Sequence, residues 1–387
     1  MTYDAIVVGL GPAGSSAAYE IARGGGRVLA LDRERFPRYK VCGGAISARV
    51  DALIDGVDRA VVERSVSTMT FRYRGQESFT VGGGDPVVSF VMRDRFDAAL
   101  AQRATSAGAA LRYEEPVLSI EETAEGVEVV TPKAAYQARF LVGADGANSR
   151  TARCLNPVPS SGVYGLEAEI SSPGGANDVI LEMGAVSGGY GWIFPKQQGM
   201  SIGIGGFRAA DPRPKSAFER FAGFYPELRD TVITAPAGYP IPVYAKDWRV
   251  ASRRIGLAGD AARLVDPFFG EGIYYGILSG QRLGQTILRQ LDGGGADLGD
   301  YARWVDTELA PEFAVADRLA SIAYTYPRMW YDAMRAHPDV IGWFYDVLRG
   351  RSRFQDLWAR LRRHAVHLAP AALAGRATAW LSRSSPL

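Results

Sequence analysis

The feature that most restricts this chain is Gly9-x-Gly11-x-x-Gly14, set between an apolar run over residues 4–8 and a helical stretch from about Pro12 to Arg23. Glycines at that spacing let the backbone turn sharply, approach an anion closely and start a helix whose free N–H groups face that anion. A second apolar run, Val28–Leu31, ends at Asp32, where a carboxylate is placed to accept hydrogen bonds from a ribose. The unit reads as a βαβ dinucleotide cradle rather than a chance glycine turn. It grips an adenosine diphosphate end shared by several dinucleotides, so the choice among them has to come from residues downstream.

Composition bounds the rest. A chain of 387 residues with 47% apolar side chains has material for two or three domains around a large core. A net charge of +2 argues against nucleic acid as a partner. Cys42 and Cys154 are the only cysteines, which excludes a disulfide framework and a four-cysteine cluster and points to a reducing compartment. Nothing suggests a metal site. The start of the chain enters a strand without a basic, then apolar, leader, and no run of ~18 apolar residues follows, so a cytoplasmic protein without a membrane span is expected. His337, His364 and His367 lie far from every motif, so histidine acid–base chemistry is not expected.

Periodicity divides the chain. Residues 1–66, 92–160 and 251–299 read as three separated parts of one dinucleotide domain, with helical spacing from Arg93 to Ala107 and strands near Leu111, 117–120, 127–130 and 138–142. Residues 67–91 hold a hairpin turning at Gly75, and 161–250 alternates apolar and polar residues with many glycines, as an antiparallel substrate-domain sheet does. Residues 300–387 are helical and rich in aromatics and Arg, and no internal repeat is present.

Two further motifs follow strands. Near Ala144 the chain reads GADGANSRTAR, with Asp145 and Gly146 just past an apolar run; near Gly259 it reads GLAGDAARLVDPFFGEGIYYG. In the second, Asp260 ends a strand, Pro267 stops a turn, and Gly270 to Gly272 open a helix. A carboxylate there suits ribityl hydroxyls, and the helix-start amides suit a flavin pyrimidine oxygen that gains charge on reduction. Those features make FAD the dinucleotide. A helix cap at Asp260 and simple tight turns at the glycines are the plainer alternatives.

The ordered set resembles the flavoprotein superfamily typified by para-hydroxybenzoate hydroxylase. Within it, FPRYKVCGGAIS from Phe36 to Ser47, GYGWIFPK at Gly189–Lys196 and GEGI from Gly270 to Ile273 resemble the geranylgeranyl reductase family, over nearly the whole chain to about Gln281. The resemblance implies an α/β fold: a split Rossmann-like FAD-binding domain of the GR2 and para-hydroxybenzoate hydroxylase type, an antiparallel β-sheet substrate domain and a C-terminal helical region. It implies FAD contacts at Ala13, Asp32, Cys42, Gly43, Ala45, Arg93, Val117, Asp260, Gly272 and Ile273, in a cradle that also takes in Arg33, Gly44, Asp145, Gly146 and Gly270. Arg93 also fits independently, since a planar guanidinium suits bidentate pyrophosphate binding. Val41 stands where the family often has Pro, and Arg263 replaces a small residue, which puts the local cavity shape in question.

By resemblance, the reaction is saturation of isolated C=C bonds in an isoprenoid lipid or pigment precursor. Such an alkene offers no carbonyl to polarise, so an apolar tunnel is required. Tyr190, Trp192 and Phe194, with Pro195, are the candidate tunnel wall, against the alternative of an ordinary packed sheet face. Cys42 is the candidate catalytic residue as a proton donor, or else a buried filler; Cys154 reads as passive packing. The basic, aromatic segment from Arg349 to Arg383 reads either as a helix packed on its own domain or as a peripheral membrane contact. No second dinucleotide motif exists for the electron donor, leaving NADPH, NADH, ferredoxin or a quinol. Rival functions on the same scaffold are an FAD-dependent monooxygenase or halogenase and a non-enzymatic electron relay.

Overall fold

The computed structural model describes residues 2–157, 164–171, 178–207, 213–225 and 236–368, so parts of the expected substrate sheet and the chain beyond Leu368 lie outside it. At its centre stands β1 (Thr2–Val8), parallel to β2 (Val28–Leu31) on one side and to β11 (Ala135–Gly143) on the other. β8 (Ala110–Arg112) extends the sheet past β2, while β10 (Val127–Val130), β9 (Ser119–Glu122) and β17 (Ile255–Leu257) complete it around β11. Ala5, Ile6, Val7, Leu29 and Ala30 are fully buried, which is why these strands are unbroken apolar runs rather than alternating ones.

Two helices meet over this sheet with little between them. α1 (Pro12–Arg23) packs on α4 (Ile273–Asp292) through Gly276, Gly280 and Gly284, and a Cβ on Gly280 would run into the Ala13 carbonyl. α2 (Arg93–Ser106) flanks α1. The chain leaves and re-enters this layer, so segments far apart in sequence end beside one another.

The second sheet has the order β16-β12-β15-β14-β13-β5-β6: β5 (Thr68–Tyr73), β6 (Glu77–Gly82), β12 (Tyr164–Ser171), β13 (Ile180–Met183), β14 (Gly189–Lys196), β15 (Gly199–Gly206) and β16 (Ala237–Pro240). Its pairings are antiparallel except β13 with β5, which run parallel with Ile180 opposite Thr70. A small sheet of β3 (Ala45–Ser47), β7 (Val88–Val91) and β4 (Val62–Val66) bridges the two large ones. α3 (Pro214–Ala222) seals one face of the second sheet, with Phe218 and Phe221 against Ile202 and Ile204.

The C-terminal helices cover its other face. They are α5 (Gly299–Trp304), α6 (Ala310–Thr325), α7 (Pro327–Ala336), α8 (Pro338–Leu348) and α9 (Phe354–Leu368), with prolines opening α7 and α8 where a missing N–H costs nothing. Leu319, Ala320, Phe344 and Leu357 share a core with Phe90, Trp192 and Phe194. The two readings of the segment from Arg349 differ in where its apolar side chains go. Phe354 and Leu357 are fully buried and Trp358 and Leu361 nearly so, while Arg353 pairs with Glu308 and Glu312. The apolar side chains of α9 from Phe354 to Leu361 are thus spent on its own chain; the side chains beyond His364 lie outside the described part. Among the described residues, no helix is long and apolar enough to cross a membrane.

Candidate active site

The separated segments converge on one cavity of about 950 Å³. At its first end Asp32, almost wholly buried, accepts the N–H groups of Leu10 at 2.7 Å and Glu34 at 2.9 Å. Burial raises its carboxyl above the usual range, and those two N–H bonds oppose the shift. Gly9, Gly11, Ala13 and Arg33 line the same end. The three glycines serve different needs. Gly9 has φ +93° and a Cβ there would strike the Ala144 carbonyl; a Cβ on Gly14 would strike the Gly9 carbonyl. Gly14 therefore packs helix on strand and is not part of the cavity wall. A Cβ on Gly11 would meet no protein atom within 4 Å and would stand in open cavity.

Val117, Asp145, Gly146 and Asp260 continue the wall. Asp145 has a local task as well, accepting Ser149 Oγ–H at 2.5 Å and the N–H groups of Arg150 and Thr151 at 2.7 and 3.1 Å. Desolvation raises the Asp260 carboxyl, with Lys40 and Arg93 pulling it back. Lys40 sits over the Tyr239 ring, and burial lowers its ammonium to about 8. Gly270, Gly272 and Ile273 bring the start of α4 to the cavity, and Gly270 has φ +71° with the Phe207 ring filling the place of a Cβ.

Cys42, Gly43, Gly44 and Ala45 form the wall between the two ends. Gly44 has φ +69°, and a Cβ would press on the Val91 carbonyl and on Lys196 Nζ; one on Gly43 would lie 2.9 Å from Phe194 and 3.0 Å from Trp192. Gly43 is thus demanded by the second sheet's aromatics, and Gly44 by its left-handed backbone, the Val91 carbonyl and Lys196. Gly44 N–H donates to Cys42 Sγ at 3.4 Å. Arg93 lines the cavity, but its Nε and Nη2 both bond Asp97 at 2.8 Å, because the first turn of α2 puts residue i+4 beside it. Its Nε and Nη2 edge is thus taken by Asp97, which also takes Arg38 Nη2 at 3.0 Å.

Tyr190, Trp192 and Phe194 line the far branch, and Pro195, on the opposite pleat of β14, does not, which corrects its place in the tunnel wall. Phe268, Phe269, Tyr324, Trp330 and Phe344 face the same space and were missed in the sequence, although the pair Phe268-Phe269 abuts Gly270. The polar ends of these aromatics are tied down: Tyr190 O–H donates to the Phe269 carbonyl at 2.6 Å, Tyr324 O–H to that of Phe268, and Trp192 Nε1–H to Ser201 Oγ at 3.4 Å. Ring faces are what they offer the cavity. Arg263, in the left-handed region at φ +56°, turns away to the Val243 carbonyl and the Trp248 ring, so it leaves the cavity's shape alone. Cys154 is exposed rather than packed. Among the described residues, no cluster of His, Cys, Asp and Glu is placed to hold a metal ion.

These features fit a flavin dinucleotide. Gly11 leaves a hollow at the N-terminus of α1, Asp32 faces it, and Arg38 Nη1, buried in the cavity wall, has no hydrogen-bond partner within the protein. Comparison with known proteins agrees. Residues 2–169 match the FAD binding domain family. The chain is 33% identical over 314 residues to the geranylgeranyl diphosphate reductase of Rhodobacter capsulatus, covering 76% of this chain and 77% of that one. It is 30% identical over 356 residues to the menaquinone reductase of Mycolicibacterium smegmatis, covering 84% and 85%. A geranylgeranyl bacteriochlorophyll reductase-like protein of Thermoplasma acidophilum superposes with a TM-score of 0.70 at 21% identity, over 84% of this chain and 91% of that one. The halogenase PltM also superposes with a TM-score of 0.70 at 18% identity, over 100% and 98%. At those identities the structural likeness is one of fold.

Proposed function

Because this chain belongs to the geranylgeranyl reductase family of FAD-dependent oxidoreductases, we propose that it saturates C=C bonds in the isoprenoid chain of a lipid, quinone or pigment precursor. The observation that carries this reading is the continuity of the cavity, from the glycine cradle past Cys42 into a branch walled by Tyr190, Trp192, Phe194, Phe268 and Phe344. Bound FAD, once reduced, supplies the hydride. The protein's share is to align an unactivated alkene and keep water away from it, which ring faces with tethered polar ends do. One isoprene unit of five carbons, at ~0.8 kcal/mol per CH₂, gains roughly 4 kcal/mol on leaving water for such a branch. From a bilayer the gain nearly vanishes, which favours delivery of the chain at a membrane surface.

Cys42 stands where the cradle meets the branch, and we assign its thiol the proton that goes to the second alkene carbon. The reading is tested with anaerobic, dithionite-reduced protein and two probes, geranylgeranyl diphosphate and menaquinone. Products heavier by pairs of hydrogens are expected; incorporation of oxygen in air, or of halide, with no hydrogenated product would replace this reading with the monooxygenase or halogenase one.

A further inference from the structure

One strand of the second sheet carries two carboxylates two residues apart. Along β12, Leu166, Ala168 and Ile170 join the apolar core under α3, so Glu167 and Glu169 project from the other pleat, toward the Cys42 loop. Glu167 is 2% exposed and lines the cavity. Burying a carboxylate there is costly unless its oxygens are engaged. Glu167 Oε2 accepts Tyr39 O–H at 3.2 Å and the Cys42 N–H at 3.3 Å, and Oε1 accepts Ser201 Oγ–H at 3.2 Å. The Cys42 N–H rests on this carboxyl, and the Cys42 side chain shares the neighbours Tyr39 and Lys196 with it. Glu169, partly open to solvent, is hydrogen-bonded to Glu167. Lys196, nearly buried, donates to the Gly43 and Val91 carbonyls at 2.8 Å each and holds its charge near both carboxyls. None of these three side chains is among the expected FAD contacts.

We propose that Glu169 and Glu167 share one proton and relay it from solvent to Cys42, replacing the proton that saturation of the alkene consumes. The purpose of the relay rests on the reductase reading above; the shared proton itself does not. In the step it serves, the Cys42 S–H bond breaks as the new C–H bond forms on one alkene carbon, while the electron pair enters as hydride on the other. The thiolate then recovers a proton from Glu167, Glu167 from Glu169, and Glu169 from water, so no electrons move along the relay. The charged and titratable groups facing the pair are Lys196 and Arg93, Asp94, Tyr39 and Cys42. Burial first, then the Glu167 charge, push Glu169 up to about 8, with Lys196 opposing. Below that pH Glu169 holds a proton; above it that proton is gone.

The pair is read first without substrate, by infrared spectroscopy of FAD-loaded protein carrying ¹³C-carboxyl glutamate. A protonated-carboxyl band that disappears as pH rises through about 8, and is absent in Glu169→Gln, is expected; a wild-type protein with no such band above pH 6 overturns the proposal. The second arm follows repeated-turnover hydrogenation of the same two isoprenoid probes with dithionite in excess, where Cys42 has to be reprotonated between turnovers. Wild type should slow above pH 8. Glu167→Gln and Glu169→Gln should slow the step at least tenfold with FAD content unchanged, the latter losing the alkaline fall and Glu169→Asp regaining it. Wild-type rates and pH profiles in both Gln variants overturn the relay. If Glu167→Gln does not fold, Glu169→Gln decides alone. A wild-type protein inert toward both probes counts against the reductase reading, and the infrared arm still decides for or against the shared proton.

Discussion

Gly11 and Gly44 differ in what a methyl group added to each would meet. At Gly11 it enters empty cavity, with backbone angles open to any residue; at Gly44 it meets backbone and the Lys196 ammonium from a left-handed conformation. Gly11→Ala should therefore leave urea-unfolding stability of the apoprotein within about 0.5 kcal/mol, while weakening FAD by roughly tenfold, about 1.4 kcal/mol. Gly44→Ala should cost about 2 kcal/mol or more of folding stability as well. Equal stabilities for the two variants would contradict this division. The sequence reads well at such positions because the constraint is local: Gly9, Gly11, Gly14 and Asp32 announce a turn, a helix start and a strand end within a few residues. Glu167 and Lys196 announce nothing of the kind. Glu167 meets Cys42 across 125 residues, and the only hint is a pair of carboxylates at period two within an otherwise apolar strand.

Elements are joined by contacts of the same long range. Ser47 at the end of β3 donates to Glu271 in the turn before α4, and Arg49 Nη2 reaches the other Glu271 oxygen at 2.5 Å while stacking on the Tyr274 ring. This clamp fixes the small sheet that carries Ala45 to the helix start that carries Gly272 and Ile273. Both partners are nearly buried, so Arg49→Met strands the Glu271 charge and should destabilise by about 3–5 kcal/mol, whereas Arg49→Met with Glu271→Gln should regain a substantial part. Urea unfolding of the single and double variants checks the sign: a double variant no more stable than the single one would show that the clamp is not acting as an ion pair. Strand and helix positions here were legible from periodicity, since Pro12–Arg23 and Val28–Leu31 are observed as read. The clamp was not, because 222 residues separate Arg49 from Glu271 and neither lies at a recognisable motif spacing of the other.

Across the whole molecule, charge and grease are segregated along one cavity. Asp32, Arg33, Lys40, Arg93 and Asp260 surround the cradle, and α6, α7 and α8 close the opposite branch with Tyr324, Trp330 and Phe344. The sequence marks residues 300–387 as helical and rich in aromatics, yet not which sheet they cover; the wall was therefore assigned to β14 alone, and half of it went unseen. That packing also relocates the membrane question. With its apolar stripe buried on Leu319 and Phe344, α9 presents Arg362 and Arg363 outward as exposed cations. Contact with a bilayer through this helix would then be electrostatic rather than inserted: worth ~1 kcal/mol per Arg at an anionic surface and lost within a Debye length of ~8 Å at physiological salt. Full-length protein is expected to sediment with phosphatidylserine-containing liposomes, to be released by salt and to ignore neutral ones. Arg362→Gln with Arg363→Gln removes two favourable charges and should weaken binding by about 2 kcal/mol, roughly thirtyfold, with FAD content intact because neither residue touches the cavity. Undiminished sedimentation of that variant would move the contact to another face of the protein, since no apolar anchor on the described part of α9 is free to compensate.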